Sequence, residues 1–154
     1  MLKISLLAIM LLKGLEGYEE RVYRNGGGRE TIGYGHLVRA GEDWSQGITR
    51  DRAEQLLNRD LFQAEQAVNQ MVKVPLTQHQ YDALVIWTFN LGPGNLKKST
   101  LLKRLNSGDY RSVPDQMMRW VHVTNVSTGV KEKLNGLVKR RQAEVDLWNK
   151  PVSA

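Results

Sequence analysis

The chain has 154 residues with 22 Lys and Arg, 16 Asp and Glu, three His and no Cys, so its formal net charge is +6. A chain of this length can bury enough apolar surface for one domain or two small lobes without a disulfide or a metal. The absence of Cys excludes cysteine nucleophiles, thiolate zinc sites, iron–sulfur clusters and disulfides. Contents of 41% hydrophobic and 25% charged residues argue against a disordered chain and against an integral membrane protein.

The positive charge is concentrated in the C-terminal part of the sequence. Residues 1–90 carry ten Lys or Arg against eleven Asp or Glu, whereas residues 91–154 carry twelve against five. This excess predicts an anionic partner, such as a nucleic acid, a lipid surface or an acidic polysaccharide. Solvated lysines on C-terminal helices explain it equally well, because net charge alone does not identify a partner.

The first predicted element is a helix in the apolar run over residues 4–12. These nine residues fall well short of the roughly 20 that a membrane span requires, and no small-x-small cleavage site follows. Ser5 is a suitable N-cap for a helix from about Leu6 to Leu15, which we expect to be buried on most sides. We therefore favour a buried helix over an N-terminal export signal, anchor or release segment.

A β-hairpin is predicted next, between residues 20 and 37. Strand-forming residues flank the turn signal Asn25-Gly-Gly-Gly. If the hairpin closes symmetrically around Gly28, Asn25 and Thr31 face each other across its neck, with their side chains about 5 Å apart.

Helical spacing dominates the rest of the chain. Thr49 caps a long helix that spans about 36 Å and is expected to connect two lobes. Thr77 starts a capping box before a helix at 81–91 that is apolar nearly all round, and therefore central. Gly92-Pro-Gly ends that helix. Further helices are predicted over residues 100–106, 113–122 and 134–148, with a loop before the last.

Three polar residues near the hairpin suggest chemistry. Glu16 ends the first helix, Gly17 lets the chain turn back, and Asn25 and Thr31 flank the glycine turn. A carboxyl, an amide and a hydroxyl would then converge between lobes, where ligand pockets form. A carboxylic acid near apolar surface keeps its proton for a leaving group, and glycosyl transfer to water is one reaction such a site can run.

The spacing of these residues also has a structural explanation. Glu16, Glu19 and Glu20 can form a solvated acidic cluster, Asn25-Gly favours turns, and Thr31 favours strands. On spacing alone we favour this explanation.

No metal, nucleotide or cofactor site is predicted elsewhere. The segment NGGGRET lacks the Lys-Ser/Thr ending of a phosphate-binding loop, and the three His have no second ligand at metal spacing. His36 is interpreted as a hydrogen-bonding residue of a turn rather than a base. Arg141 lies in the apolar stripe of the last helix and needs a carboxylate. Glu144 is the favoured partner, and Glu16 is the functional alternative.

The segment LEGYEERVYRNGGGRETIGYGH, residues 15–36, resembles the motif of phage-type lysozymes, the endolysins of glycoside hydrolase family 24. That motif has Glu-Gly, a Tyr, an acidic residue or Cys nine positions after the Glu, a Thr six further on, and Gly-x-Gly-His. The resemblance overturns the structural explanation of Glu16. It continues through ITRDRAEQLLNRDL (48–61), LTQHQYDALVIWTFNLGPG (76–94), STLLKRLNSGDY (99–110), RW (119–120) and GLVKRRQAE (136–144).

The resemblance implies an α+β, mostly helical, two-lobed fold over residues 1–154. A small α+β lobe (about 17–48) is joined by a long helix (about 49–73) to a helical lobe (about 1–16 and 74–154). Peptidoglycan would lie in the cleft between the lobes. The family cleaves the β-1,4 bond between N-acetylmuramic acid and N-acetylglucosamine without metal or cofactor.

Site residues follow by position in the family motif. Glu16 would be the general acid, and Thr31 would help to place water or substrate. Phe89, Asn90 and Thr100 match positions that line the family's cleft. We expect a monomer made in the host cytoplasm that acts on the wall after release, with an anionic envelope surface as a further partner. Nucleic acid is not expected, because the basic residues of KEKLNGLVKRR interleave with a core stripe.

The sequence departs from the family at Asn25, where members have Asp or Cys. A neutral amide neither takes a proton from water nor acts as a carboxylate nucleophile, and loss of a positioned base typically costs ~10²- to 10⁴-fold in rate. Three hypotheses follow: a slow enzyme with an amide-oriented water, a non-catalytic peptidoglycan-binding protein, or deamidation of Asn25-Gly26 to Asp.

Overall fold

The computed structural model describes residues 2–125 and 127–152. Its elements in chain order are α1 (Leu6–Glu16), β1 (Glu19–Arg24), β2 (Glu30–Gly33), β3 (His36–Leu37), α2 (Arg50–Met71), α3 (Gln78–Leu91), α4 (Pro93–Lys98), α5 (Thr100–Asn106), α6 (Val113–Met118), β4 (His122–Thr124), β5 (Lys131–Lys133) and α7 (Asn135–Trp148). Within the described residues, no helix is both long and apolar enough to span a bilayer.

The first three strands form an antiparallel sheet in the order β1-β2-β3. Tyr23 is the partner of Thr31, and the backbone N–H of Asn25 donates to the carbonyl of Arg29 at 2.9 Å. The predicted pairing of Asn25 with Thr31 is therefore wrong. The turn is tighter than expected because the side-chain oxygen of Asn25 accepts hydrogen bonds from the N–H groups of Gly27 and Arg29, both at 3.0 Å.

The long helix α2 packs against β2, β3 and α3. Its N-cap is Thr49, as predicted, and the capping box at Thr77 starts α3. Residues 81–88 of α3 are all buried, and α3 also packs against α7, so α3 is the centre of the core. The division of the chain into lobes at residues 17–48 and 49–73 stays a prediction.

The N-terminal helix α1 differs from its prediction in burial. Ser5 caps it as expected, but only Ala8 and Leu12 are buried. Leu6 and Met10 are 73% and 62% exposed. The prediction of burial on most sides was wrong because α1 lies at the surface and turns one narrow face to the core.

Two elements fall where the sequence predicted a stop or a loop. Gly92 caps the end of α3, so the predicted stop is confirmed, but Pro93 then begins a further short helix, α4, that was not predicted, because proline fits the first turn of a helix. The predicted helix at 113–122 ends at Met118, and β4 and β5 form a hairpin in the predicted loop. Asn125 supports this hairpin, since its side-chain oxygen accepts hydrogen bonds from the N–H groups of Ser127 and Thr128.

Candidate active site

A cleft of about 580 Å³ lies between the β1–β2 hairpin, the end of α3 and the β4–β5 hairpin. The sequence-predicted residues that line this cleft are Glu16, Asn25, Thr31, Phe89 and Asn90.

Thr100 does not belong to this cleft. It is exposed at the start of α5 and is absent from the cleft lining. Its predicted place beside the substrate stays a prediction.

Glu16 is held on both sides of its carboxylate. It ends α1, and 14% of its side chain is exposed. Its Oε1 accepts a hydrogen bond from Arg140 Nη1. Its Oε2 lies over the backbone of Gly35, where a Cβ atom would collide with it, and Gly35 has φ +73°. This close approach and the left-handed backbone both require glycine at position 35.

Arg140 is the arginine that contacts Glu16. The alternative prediction, that Arg141 pairs with Glu16, is therefore wrong. Arg141 is fully buried, and its Nε lies 2.9 Å from Glu144 Oε1, so the local pairing favoured from the sequence is confirmed. Arg141 also donates to the side-chain oxygen of Asn90. Arg141 therefore orients the side chain of Asn90, a cleft residue, from the buried side of the cleft wall.

A buried ionic network connects these groups. Arg140 Nε lies 3.4 Å from Glu144 Oε2, so Glu144 contacts both arginines. Burial raises the pKa of Glu144 to about 7, against the opposing effect of Arg141 and Arg140. Burial likewise lowers the pKa of Arg141 to about 10. The network runs from Glu144 through Arg140 to the carboxylate of Glu16.

Asn25 and Thr31 present one free hydrogen-bonding group each. The Asn25 oxygen is engaged with the two turn N–H groups, which leaves its NH₂ as a donor. The Thr31 side chain is buried, and its hydroxyl donates to the carbonyl of Arg29 at 3.0 Å. The lone pairs of Thr31 Oγ1 therefore stay available to accept from a water molecule.

Sequence reasoning missed Tyr23 and Arg140. Tyr23 lines the cleft, and burial, followed by the charges of Glu16 and Glu19, raises its pKa. Strand alternation would have found Tyr23, because residues two apart, such as 23 and 25, are predicted to share one face of an extended strand. No local signal distinguishes Arg140 from Arg141 in the last helix.

The tip of the first hairpin approaches the far wall of the cleft. A Cβ at Gly26 would lie 2.7 Å from Leu134 Cδ1, and one at Gly27 would lie 3.9 Å from Val123 Cβ. Val123 and Leu134 line the cleft. The two hairpins thus close one end of it.

His36 lies outside this cleft, and its contacts are structural. Its side chain is buried, and its Nδ1 and Nε2 lie 2.7 Å from Asp60 Oδ2 and 3.0 Å from Glu42 Oε1. The hydrogen bond with Asp60 raises the pKa of His36, although burial opposes this. Over the described residues, no group of three or more His, Asp or Glu is arranged to hold a metal ion.

Known proteins resemble this chain over nearly its whole length. The family model described as Phage lysozyme matches residues 13–144. An endolysin of Acyrthosiphon pisum secondary endosymbiont phage 1 is 40% identical over 94% of this chain and 97% of that protein. A SAR-endolysin of Escherichia phage Mu is 35% identical, over 96% and 91%. The solved endolysin from Escherichia coli O157:H7 phage FAHEc1 is 35% identical, with a TM-score of 0.81 and coverage of 99% of this chain and 97% of that one.

The fold and the cleft are those of a lysozyme-type hydrolase. With a matching family model and full-length relatives, the chain belongs to the phage lysozyme family. The resemblance of residues 15–36 and the α+β, mostly helical fold class are thereby confirmed.

Proposed function

We propose that the chain hydrolyses the β-1,4 bond between N-acetylmuramic acid and N-acetylglucosamine in peptidoglycan, with Glu16 as the general acid. The observation that carries this proposal is the position of Glu16, a largely buried carboxylate fixed by Arg140 and Gly35 in the wall of the cleft. Relatives named endolysins support the bacterial wall as the target. The protein would act as a monomer on the wall after release from the host cytoplasm.

The residues of the cleft suggest the course of the reaction. Glu16 gives its proton to the glycosidic oxygen as the carbon–oxygen bond breaks, and water then attacks the oxocarbenium-like centre. The attacking water loses its extra proton to bulk solvent as the new carbon–oxygen bond forms, and Glu16 regains a proton from solvent before the next turnover. Thr31 Oγ1 accepts a hydrogen bond from that water, and Asn25 orients it through its NH₂ group. Glu16 is the only carboxylate among the residues that line the cleft in the described chain. Asn25 therefore orients the water without taking its proton.

A second candidate function is peptidoglycan binding without catalysis. The observation that favours it is the use of the Asn25 oxygen to close the hairpin turn, a role that requires no chemistry. A site with one carboxylate lacks the usual pair of the glycosidase mechanism.

Release of new reducing ends from peptidoglycan separates the two candidates. We expect the parent to release them slowly and Glu16→Gln to release none. An aspartate at 25 can accept the same two turn hydrogen bonds, so Asn25→Asp should fold normally and gain ~10²-fold or more in rate. Glu20→Gln, an exposed carboxylate on β1, is the matched control. If Glu16→Gln releases reducing ends as fast as the parent, the catalytic proposal is wrong. Wall binding without reducing ends supports the second candidate.

A further inference from the structure

The cleft holds one acid, and its first hairpin supplies no base for an attacking water. Glu16 is the only carboxylate on the cleft wall in the described chain. The other titratable side chains of that wall are those of Tyr23, Arg29 and His122. Burial raises the pKa of Tyr23, and an arginine stays protonated at neutral pH, so neither takes a proton from water. His122 is exposed on β4, in the far wall of the cleft.

The polar residues of the first hairpin can orient a water molecule but cannot activate it. The Asn25 oxygen accepts from the N–H groups of Gly27 and Arg29 at 3.0 Å, which leaves the NH₂ group as a free donor. The hydroxyl of Thr31 donates to the carbonyl of Arg29. Because loss of a positioned base typically costs ~10²- to 10⁴-fold in rate, water is a slow nucleophile at this site. A nucleophile that is better placed can therefore compete with it.

The substrate carries such a nucleophile of its own. The C6 hydroxyl of N-acetylmuramic acid is attached to the same ring as the reacting C1 carbon, and it lies on the ring face from which a β-linked leaving group departs. Tethered nucleophiles that are well oriented reach effective molarities of about 10⁵–10⁸ M. The general acid stands on that same face, because it protonates the leaving oxygen. One carboxylate can therefore serve both the departing oxygen and the attacking hydroxyl.

Glu16 is held in a position that suits two successive proton transfers. Its side chain is 14% exposed, and its Oε1 accepts a hydrogen bond from Arg140. The exchanged proton is therefore assigned to Oε2, which lies over Gly35 at the cleft wall. Neither contact requires that proton, so the carboxyl group keeps its place when it has released the proton and when it takes one back.

We propose that the cleft also catalyses an intramolecular transfer, in which the C6 hydroxyl of N-acetylmuramic acid attacks in place of water. Glu16 protonates the glycosidic oxygen as the bond from C1 to that oxygen breaks. The C6 oxygen then forms a bond to C1, and its proton goes to the carboxylate of Glu16. The products are a 1,6-anhydro-N-acetylmuramic acid end and a free 4-hydroxyl on N-acetylglucosamine. No water is consumed, and Glu16 is protonated again. This inference rests on the proposed function, because it uses the same acid and breaks the same bond.

Mass spectrometry of the digested glycan separates the two products, since an anhydro end is lighter than a reducing end by one water molecule. In water labelled with heavy oxygen, we expect the parent to form both kinds of end, with label only in the reducing ends. Glu16→Gln should form neither. If the parent forms only reducing ends and Glu16→Gln forms none, the inference is wrong and the proposed function stands. Anhydro ends without reducing ends would support the inference, overturn the proposed hydrolysis and exclude binding without catalysis.

Variants of the water-orienting residues should change the ratio of the two products. Asn25→Asp supplies a base for water and should raise the rate of reducing-end formation by ~10²-fold or more, with the rate of anhydro-end formation unchanged. Thr31→Val should lower reducing-end formation about tenfold, as the loss of one hydrogen bond predicts, and Thr31→Ser should restore it.

Two exposed residues supply the controls for this ratio. Glu20→Gln changes a carboxylate on β1, and His122→Asn removes the remaining basic group of the cleft wall. Both should keep the parental ratio. A loss of reducing ends in His122→Asn would overturn the argument that the water lacks a base. Equal ratios in the parent, Asn25→Asp and Thr31→Val would mean that water and the C6 hydroxyl do not compete, and the inference would be wrong.

Discussion

Arg140 donates to Glu16, and this contact joins residues 124 positions apart, from the last helix to the end of the first. The Arg140 side chain is only 8% exposed, and Glu144 lies on its other side. The guanidinium therefore has little freedom to move. It fixes the carboxylate of Glu16 at the cleft wall, and that position is the central requirement of the proposed mechanism.

Replacement of Arg140 should impair turnover more than substrate binding. We expect Arg140→Gln to lower kcat about 10²-fold, because small displacements of a catalytic group have effects of this size, while KM changes little. Arg140→Lys keeps the charge without the planar fork and should recover part of the loss. Reducing-end kinetics measure both constants, and thermal unfolding checks the fold. A parental kcat in Arg140→Gln would show that Glu16 needs no such support.

A methyl group at residue 35 should displace Glu16. Gly35→Ala places a Cβ against Glu16 Oε2 and also strains a backbone with φ +73°. Gly41→Ala is the matched control, since its φ is +85° but nothing lies within 4 Å of the added Cβ. We expect both variants to lose about 1–2 kcal/mol of stability, and only Gly35→Ala to lose activity, by about 10²-fold. Equal activities in the two variants would contradict the close-approach argument.

The sequence was informative where a local signal exists. Ser5, Thr49 and Thr77 begin helices where their capping patterns predict, because a cap is read from a few adjacent residues. The exact hairpin register was not predictable, since it depends on where the Asn25 side chain bonds. The choice between Arg140 and Arg141 depends on the rotation of α7 against α3, which is set by packing over the whole core.

His36 should make stability depend on pH. Its pKa is raised from 6.5 in the folded state, so its contribution is complete below pH 6.5 and is lost as the pH rises through the raised value. Burial opposes ionisation of Glu42, but hydrogen bonds from the Arg39 backbone, His36 and Trp44 outweigh it and lower the pKa from 4.5 to about 2. The Glu42 contribution is therefore lost only as the pH falls below 4.5. The cluster contributes most between about pH 4.5 and 6.5.

Urea unfolding at pH 5.5 and pH 9 tests this dependence. We expect His36→Asn to lower the free energy of unfolding by about 2–3 kcal/mol at pH 5.5, as the loss of hydrogen bonds to charged groups predicts, and by less at pH 9. His122→Asn, at an exposed histidine, is the control and should show no such difference. An equal loss for His36→Asn at both pH values would mean that His36 keeps the same protonation state from pH 5.5 to pH 9, which contradicts the expected dependence.

Folding should protect Asn25 from deamidation. The reaction needs the nitrogen of Gly26 to attack the Asn25 side-chain carbon, but two hydrogen bonds at 3.0 Å fix that side chain toward Gly27 and Arg29. Samples of the folded protein and of the protein in urea are aged at alkaline pH and analysed by peptide mapping. Deamidation of Asn25 should be slower in the folded protein than in urea. Asn135-Gly136 supplies a second Asn-Gly pair whose rate in urea should match that of Asn25. Equal rates at Asn25 in both conditions would instead support maturation to Asp.

The basic excess should contribute to wall adsorption where it flanks the cleft. Lys131 and Lys133 are exposed on β5, whose hairpin forms one wall of the cleft, whereas Lys97 and Lys98 are exposed at the end of α4. Changing both lysines of either pair to Gln removes the same two positive charges. At low ionic strength we expect the β5 variant to lose several-fold more affinity for purified walls, and the difference to vanish near 1 M salt, where screening acts over about 3 Å. Sedimentation of walls with bound protein measures this. Equal losses in the two variants would mean that net charge alone drives adsorption.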